Sequence, residues 1–146
     1  ESLIPFNFGI PGIKLGLANL IVIVALYTMS IKEALFISIV RILLSGLAFS
    51  GGFAMIYSLI GGLLSFLIML LAKKSNKFSP IGVSALGGTV HNFGQIIVAA
   101  VVMRTYRIIY YFPILMLVGL FTGIINGIIA NIIIKRVTKA GDIKCQ

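Results

Sequence analysis

The chain has 146 residues, of which 60% are hydrophobic and 10% are charged, and its mean hydropathy is +1.16. An ordinary soluble domain is about a quarter charged, so this composition excludes a water-soluble globular protein. At about 20 apolar residues per crossing, the length allows five or six membrane spans and no separate soluble domain. The net charge of +9 is explained by the excess of Lys and Arg in cytoplasmic loops of membrane proteins, without nucleic acid as a partner.

The first fourteen residues differ from the rest of the chain. Residues 1–14 contain two prolines and two glycines among apolar side chains, which disfavours a helix. We expect this segment to be an extracytoplasmic loop. It either folds over the outer mouth of the protein as a lid or dips into the lipid headgroups as an ordinary connection.

Five continuous apolar runs follow, and each is expected to form a membrane helix. Residues 31–33 are predicted to break the chain between the first two runs, and residues 51–52 are predicted to form a turn before the third. Ser79 and Pro80 resemble the N-cap and first residue of a helix. The predicted spans are about 15–30, 34–50, 53–72, 80–103 and 113–134.

The runs favour helices over a transmembrane barrel. Each is continuously apolar for roughly 16 residues or more, whereas barrel strands alternate between apolar and polar residues over about ten. The predicted fold class is therefore an all-α integral membrane protein. Its single domain, residues 1–146, is expected to be a compact bundle of five transmembrane helices.

Basic residues in the predicted loops define an orientation. With a cytoplasmic C-terminus, eight Lys and Arg lie inside and three outside, as the positive-inside bias requires. Residues 135–146 are then a cytoplasmic tail and residues 1–14 lie outside, so we expect a further helix to precede them in a six-helix parent. The predicted location is a bacterial plasma membrane, which the chain crosses several times.

Polar side chains within the apolar spans are the candidate binding residues, because each is costly to bury away from water. Arg41 lies near the middle of the second span, where it needs an anion, a polar ligand or backbone carbonyls. His91 and Gln95 lie one helical turn apart, with Asn92 beside them. Asn19 in the first span completes the candidate set. The alternative for each is a structural role in joining helices.

Two further asparagines, Asn126 and Asn131, are more easily explained by packing. They share a helix with Gly119, Gly123 and Gly127, which recur every four residues. Such a strip of small residues lets another helix approach closely. We therefore favour a structural role for both asparagines.

Several kinds of chemistry are excluded. Glu1, Glu33 and Asp142 are the only carboxylates, and Cys145 is the only cysteine. The sequence contains neither a phosphate-binding P-loop nor an Asp-rich motif for Mg²⁺ and a diphosphate. One His without nearby acids supplies too few ligands for a metal centre. We predict that the chain is not an enzyme and holds no cofactor or metal, so any energy comes from a partner.

Four ordered motifs resemble a known family. They are residues 13–19 (IKLGLAN), 32–44 (KEALFISIVRILL), 78–84 (FSPIGVS) and 91–95 (HNFGQ). Together they resemble the Gx transporter family, often labelled heptaprenyl diphosphate synthase component I, over essentially the whole chain. That family is similar to the S components of energy-coupling-factor (ECF) transporters, which are six-helix proteins that capture micronutrients outside the cell.

The resemblance implies a membrane-embedded substrate-binding subunit for a small polar or anionic solute. A separate transmembrane scaffold and ATPase subunits would then supply energy. Arg41 would be the main charge partner of the solute. The residues that would orient the solute are His91, Asn92, Gln95 and Asn19.

Two alternatives remain open. In the second interpretation, the chain is a membrane accessory that binds or delivers an isoprenoid diphosphate. Arg41 would hold the diphosphate, and Phe and Leu side chains would receive the tail. The third interpretation is a purely structural membrane subunit. Membrane lipid is an expected partner under all three interpretations.

Overall fold

The computed structural model describes residues 17–45, 51–104 and 110–140. These residues form five α-helices and no strand. The helices are α1 (Leu17–Thr28), α2 (Ile31–Ser45), α3 (Gly51–Lys74), α4 (Pro80–Met103) and α5 (Phe112–Ala140). The predicted all-α fold class is confirmed. The expected loop at residues 1–14 and the end of the expected tail lie outside the described residues.

Three of these helices are long and apolar enough to cross a membrane. They comprise Met55–Lys74, Pro80–Val102 and Phe112–Ala140. Leu117 and Phe121 of α5 are 56% and 63% exposed, as expected for side chains that face lipid. The chain is a membrane protein. That the shorter α1 and α2 also cross the membrane stays a prediction.

Local sequence signals set the beginnings of α2 and α4. Glu33 accepts a hydrogen bond from the Ser30 backbone N–H at 2.9 Å, and Ser30 Oγ accepts one from the Glu33 N–H at 3.4 Å. This reciprocal pair is a capping box. Ser79 is the N-cap of α4 and accepts from the Gly82 N–H at 3.3 Å, with Pro80 as the first helical residue, as predicted.

Both predicted breaks are wrong in position, and the chain breaks between α1 and α2 at Met29 and Ser30. Residues 31–33 form the first turn of α2, because the capping box satisfies backbone N–H groups that a helix start otherwise leaves open. Gly51 and Gly52 begin α3 rather than a turn. The cost of glycine in a helix applies mainly to the interior, so a glycine pair at the start does not prevent the helix.

The five helices form a bundle, called the ring below, in which α1 contacts all four of the other helices. Each helix packs against the next one along the chain, and α5 packs against α1. Ser65 of α3 joins this helix to α4 by donating to the Gly87 carbonyl at 2.8 Å. Within the described residues α2 contacts neither α4 nor α5, so α3 and α1 separate α2 from them.

Glycine brings α4 and α5 together at backbone distance. A Cβ atom built on Gly119 would lie 2.7 Å from the Gly88 carbonyl oxygen, and one on Gly127 would lie 2.6 Å from Ile81 Cα. These pairs also show that the two helices are antiparallel. The small-residue strip of α5 therefore packs against α4, as its spacing predicts.

One end of the ring is strongly basic. Lys73, near the end of α3, donates to the Leu26 carbonyl near the end of α1 at 2.7 Å, so both helices finish at the same end. We call this the lysine-rich end; its described cations are Lys32, Lys73, Lys74, Lys77, Lys135, Arg136 and Lys139. The positive-inside bias predicts that all of them lie on the cytoplasmic side. Which side of the membrane this end faces stays a prediction.

Candidate functional site

Four of the predicted binding residues lie beyond the apolar core, at distances from the lysine-rich end that differ by up to about 9 Å. Asn19 is on α1, Arg41 on α2, and His91 and Gln95 on α4, and all four are half-buried. At a rise of 1.5 Å per residue, they stand about 14 to 23 Å from the ends of their helices at the lysine-rich end. In the spanning helix α4, His91 is thus near the middle of a hydrocarbon core about 30 Å thick. We call these four residues the polar level.

An apolar core fills the ring between the polar level and the lysine-rich end. In α1 the core residues Val22 and Leu26 lie nearer that end than Asn19, and in α2 Ala34 lies nearer it than Arg41. In α4 the core residue Val83 lies nearer that end than His91, and α3 contributes Phe66, Met69 and Ala72 to the core. Among the described residues, the polar level is therefore the boundary of this core.

His91 and Gln95 share the inner face of α4. They lie on the side of the helix opposite Phe93 and Ile97, which are 42% and 45% exposed. A Cβ atom built on Gly61 of α3 would lie 3.0 Å from Gln95 Cγ and 3.4 Å from His91 Nδ1. The two polar side chains thus face α3, where glycine leaves room for them.

Arg41 belongs to the inner face of α2. Ala34 and Ser38 precede it by helical spacing on that face and are 0% and 2% exposed. A guanidinium that faces lipid costs roughly 3 to 15 kcal/mol, and a position that faces the bundle rather than lipid reduces that cost. Arg41 also lines a groove of about 390 Å³ between α1 and α2, whose other walls are Ile21, Phe36, Ile37, Val40 and Leu44.

Asn19 continues the buried face of α1 towards the polar level. Val22, Ile23 and Leu26 follow it at helical spacing and are at most 1% exposed. Asn19 is therefore the first polar residue beyond the core on this face. Asn19 and Arg41 thus lie on α1 and α2, whereas His91 and Gln95 face α3 from α4, and within the described residues α2 does not contact α4.

Asn92 faces a different neighbour from the other four candidates. Its Nδ2 donates a hydrogen bond to the Leu115 carbonyl of α5 at 2.7 Å. A Cβ atom built on Gly119 would lie 2.8 Å from the same nitrogen, so the amide sits tightly between the two helices. This geometry favours a structural link between α4 and α5 over contact with a solute.

The sequence argument does not identify Gly61 as part of the site. The pair Gly61–Gly62 in the middle of α3 signals a close approach, but it does not show which helix approaches. Asn126, which is 2% exposed, lies with the core, since the adjacent Gly127 packs against Ile81 near the start of α4. That position agrees with the structural role favoured for Asn126.

The polar level combines the positive charge of Arg41 with imidazole and amide groups that form hydrogen bonds. Arg41 supplies the charge, while Glu33 lies at the lysine-rich end. There the backbone hydrogen bond from Ser30, followed by the Ser30 side chain, lowers the pKa of the Glu33 carboxyl. Such a level suits an anion or a solute rich in hydrogen-bond acceptors. Within residues 17–45, 51–104 and 110–140, no three His, Cys, Asp or Glu come together to hold a metal.

Comparison with known proteins identifies one family. A family profile described as heptaprenyl diphosphate synthase component I matches residues 1–133. No curated protein and no solved structure matches the chain. The description as a component implies a partner subunit. Because the profile covers residues 1–133 of 146, the chain belongs to the heptaprenyl diphosphate synthase component I family.

Proposed function

We propose that the chain is a membrane-embedded substrate-binding subunit, similar to the S components of ECF transporters, that captures a small polar or anionic solute. The observation that carries this proposal is the polar level lying on an apolar core. The core closes the ring towards the lysine-rich end. A solute therefore reaches the polar level from the opposite end, which the positive-inside bias assigns to the outside.

Each residue of the polar level has a role in this proposal. The Arg41 guanidinium binds the anionic group of the solute, because its planar set of donors suits carboxylates and phosphates. His91 and Gln95 form hydrogen bonds that fix the orientation of the solute beside Gly61. Asn19 contributes a further amide from α1. Asn92 supports the site indirectly by holding α4 against α5.

Binding rather than catalysis is the proposed activity of this subunit. The sequence has three carboxylates, of which Glu33 lies at the lysine-rich end, away from the polar level. A transmembrane scaffold and ATPase subunits are the proposed partners that supply energy for uptake. Co-purification of the tagged full-length protein from its own membranes tests for them, and recovery of the protein without any ATPase subunit would contradict this part of the proposal.

The test of binding is native mass spectrometry of the full-length protein released gently from its own membranes. A bound small solute is identified there, and its affinity is then measured for the purified protein and its variants. We expect Arg41→Ala to weaken binding about 10- to 100-fold, the value of a charge-assisted hydrogen bond. Arg41→Lys keeps the charge but loses the planar geometry, so it should restore binding only in part.

Two controls make the result specific. Arg136→Ala removes an equal charge at the lysine-rich end and should leave the affinity unchanged. Gln95→Ala removes a polar group of the same level without changing charge and should weaken binding less than Arg41→Ala does. The Arg41→Ala/His91→Ala double variant is the decisive case. If it unfolds at the same temperature as the wild type and binds the solute with unchanged affinity, the proposal is overturned.

A specific observation also supports the isoprenoid alternative. The groove between α1 and α2 sets Arg41 among apolar side chains, the combination that the diphosphate and tail of an isoprenoid require. The family description names a synthase component, so this second candidate is an accessory subunit that binds or delivers a prenyl diphosphate.

A variant that fills the groove separates the two candidates. Val40→Trp places an indole between Ile21 and Leu44 while leaving Arg41 in place. Under the isoprenoid alternative, a prenyl diphosphate co-purifies with the wild-type protein and is lost from Val40→Trp. Under the first proposal, a small solute is found instead and the Val40→Trp variant retains it.

A further inference from the structure

A second groove lies on the outer side of α4. Its volume is about 720 Å³, and its lining is Phe93, Ile96, Ile97, Ala100, Val101, Arg104 and Phe112. Phe93 and Ile97 lie on the face of α4 opposite His91 and Gln95. This groove is therefore separate from the polar level.

The offset between α4 and α5 creates this groove. Phe112, the first residue of α5, packs edge-on against Phe93, with ring centroids 5.9 Å apart and planes at 71°. The last turns of α4 thus extend past the beginning of α5. Val101, on this extension, is 70% exposed.

The dimensions of the groove match one leaflet of a membrane. Phe93 and Arg104 are eleven residues apart on α4, which corresponds to about 16 Å along the helix axis. Half of a hydrocarbon core about 30 Å thick is about 15 Å. A lipid chain whose end reaches Phe93 therefore has its headgroup beside Arg104.

Arg104 gives this groove a charge preference. Among the described lining residues it is the one that carries a charge, and it stands at the C-cap of α4 in a left-handed conformation with φ 47°. A guanidinium binds phosphate oxygens through two parallel hydrogen bonds. The apolar wall and the terminal cation together complement an acyl chain with an anionic phosphate headgroup.

We propose that this groove binds an anionic phospholipid, with the phosphate at Arg104 and one acyl chain along α4 towards Phe93. The position of the groove favours a membrane lipid over a prenyl diphosphate. Arg104 lies at the end of α4 remote from the lysine-rich end, which the positive-inside bias assigns to the outer leaflet. The inference is independent of the solute proposed for the polar level.

The test compares lipid retention by the full-length protein in native mass spectrometry. The protein is equilibrated with equal amounts of phosphatidylglycerol and phosphatidylcholine in mixed micelles. We expect wild-type protein to retain phosphatidylglycerol preferentially and Arg104→Ala to lower that preference about fivefold, the effect of one basic residue near a membrane surface. Val101→Trp fills the groove and should displace the lipid while Arg104 remains.

The matched control is Arg136→Ala, which removes one positive charge at the lysine-rich end and should change the preference less than Arg104→Ala. Thermal unfolding in phosphatidylcholine checks that all three variants are folded. An equal loss of the phosphatidylglycerol preference in Arg136→Ala would overturn the proposal. An unchanged preference in Arg104→Ala, or unchanged lipid retention in Val101→Trp, would also overturn it. Displacement of phosphatidylglycerol by an equimolar prenyl diphosphate would also overturn it, because the groove would then be an isoprenoid site.

Discussion

Gly123→Ala is expected to destabilise the protein, although alanine is the better helix former. A Cβ atom at this position in α5 would lie 2.7 Å from both Ala85 Cα and the Ser84 carbonyl oxygen of α4. Both are backbone atoms, so they cannot rotate away as the end of a side chain does. The two helices must separate by roughly 0.7 Å to restore an ordinary carbon contact of about 3.4 Å.

The expected loss is the difference between opposing contributions. Alanine gains about 1 kcal/mol of helix propensity over glycine. Overpacking a close interface costs about 1 to 3 kcal/mol. Separation of the helices also stretches the hydrogen bond from Asn92 to the Leu115 carbonyl, now 2.7 Å, and such bonds between membrane helices contribute about 0.6 to 1.7 kcal/mol. We therefore expect a net loss of about 0.6 to 3.7 kcal/mol in the free energy of unfolding.

The assay is reversible unfolding of the purified protein by sodium dodecyl sulfate in mixed micelles, followed by circular dichroism. Gly82→Ala in α4 is the matched control, because its Cβ atom would meet Phe78 Cδ1 at an ordinary 3.4 Å. This control should be unchanged or more stable by up to about 1 kcal/mol. If Gly123→Ala proves as stable as Gly82→Ala, the reasoning from backbone contact is refuted.

Three further predictions concern single contacts. Asn92→Ala removes the link to the α5 backbone and should lower the free energy of unfolding by about 1 kcal/mol in the same assay, without changing solute affinity; a loss of affinity alone would return Asn92 to the binding site. Lys73→Met removes the hydrogen bond to the end of α1 and should cost about 1 to 3 kcal/mol, whereas Lys74→Met, at the exposed next position, should cost less. The folded-state pKa of the Glu33 carboxyl is lowered from 4.5. The cap that Glu33 forms with Ser30 therefore stabilises α2 above pH 4.5, and this stabilisation is lost as the pH falls through the lowered pKa. The stability of Glu33→Gln should therefore fall less than that of the wild type over this acidic range, and identical pH profiles would contradict the capping role.

Helix class and helix starts can be predicted where the cause is local. Long apolar runs predict helices, and Ser79 followed by Pro80 predicts where α4 begins, because both effects act within one turn. The pair Ser30 and Glu33 has the spacing of a capping box and predicts the start of α2 equally well. The prediction of a break at residues 31–33 did not take this spacing into account.

The candidate site can be predicted only in part. Helical spacing places His91 and Gln95 on one face, and the cost of a buried guanidinium singles out Arg41. The role of Asn92 could not be inferred in this way, because its partner at Leu115 depends on how α4 and α5 pack. The contribution of Gly61 also depends on tertiary contact, since a glycine pair in α3 indicates close approach without naming the neighbouring helix.

The glycine contacts between α4 and α5 also determine how the ring can deform. Where two backbones touch, as at Gly88 and Gly119, no rotamer change relieves a displacement, so sliding or opening these helices breaks the contact itself. The contact between α2 and α3 is different, because Gly62 meets the end of the Ile42 side chain, which can rotate. The pair α4 and α5 is therefore a rigid wall of the ring, and under the proposed binding function we expect a rearrangement that admits or releases a ligand to occur at α2.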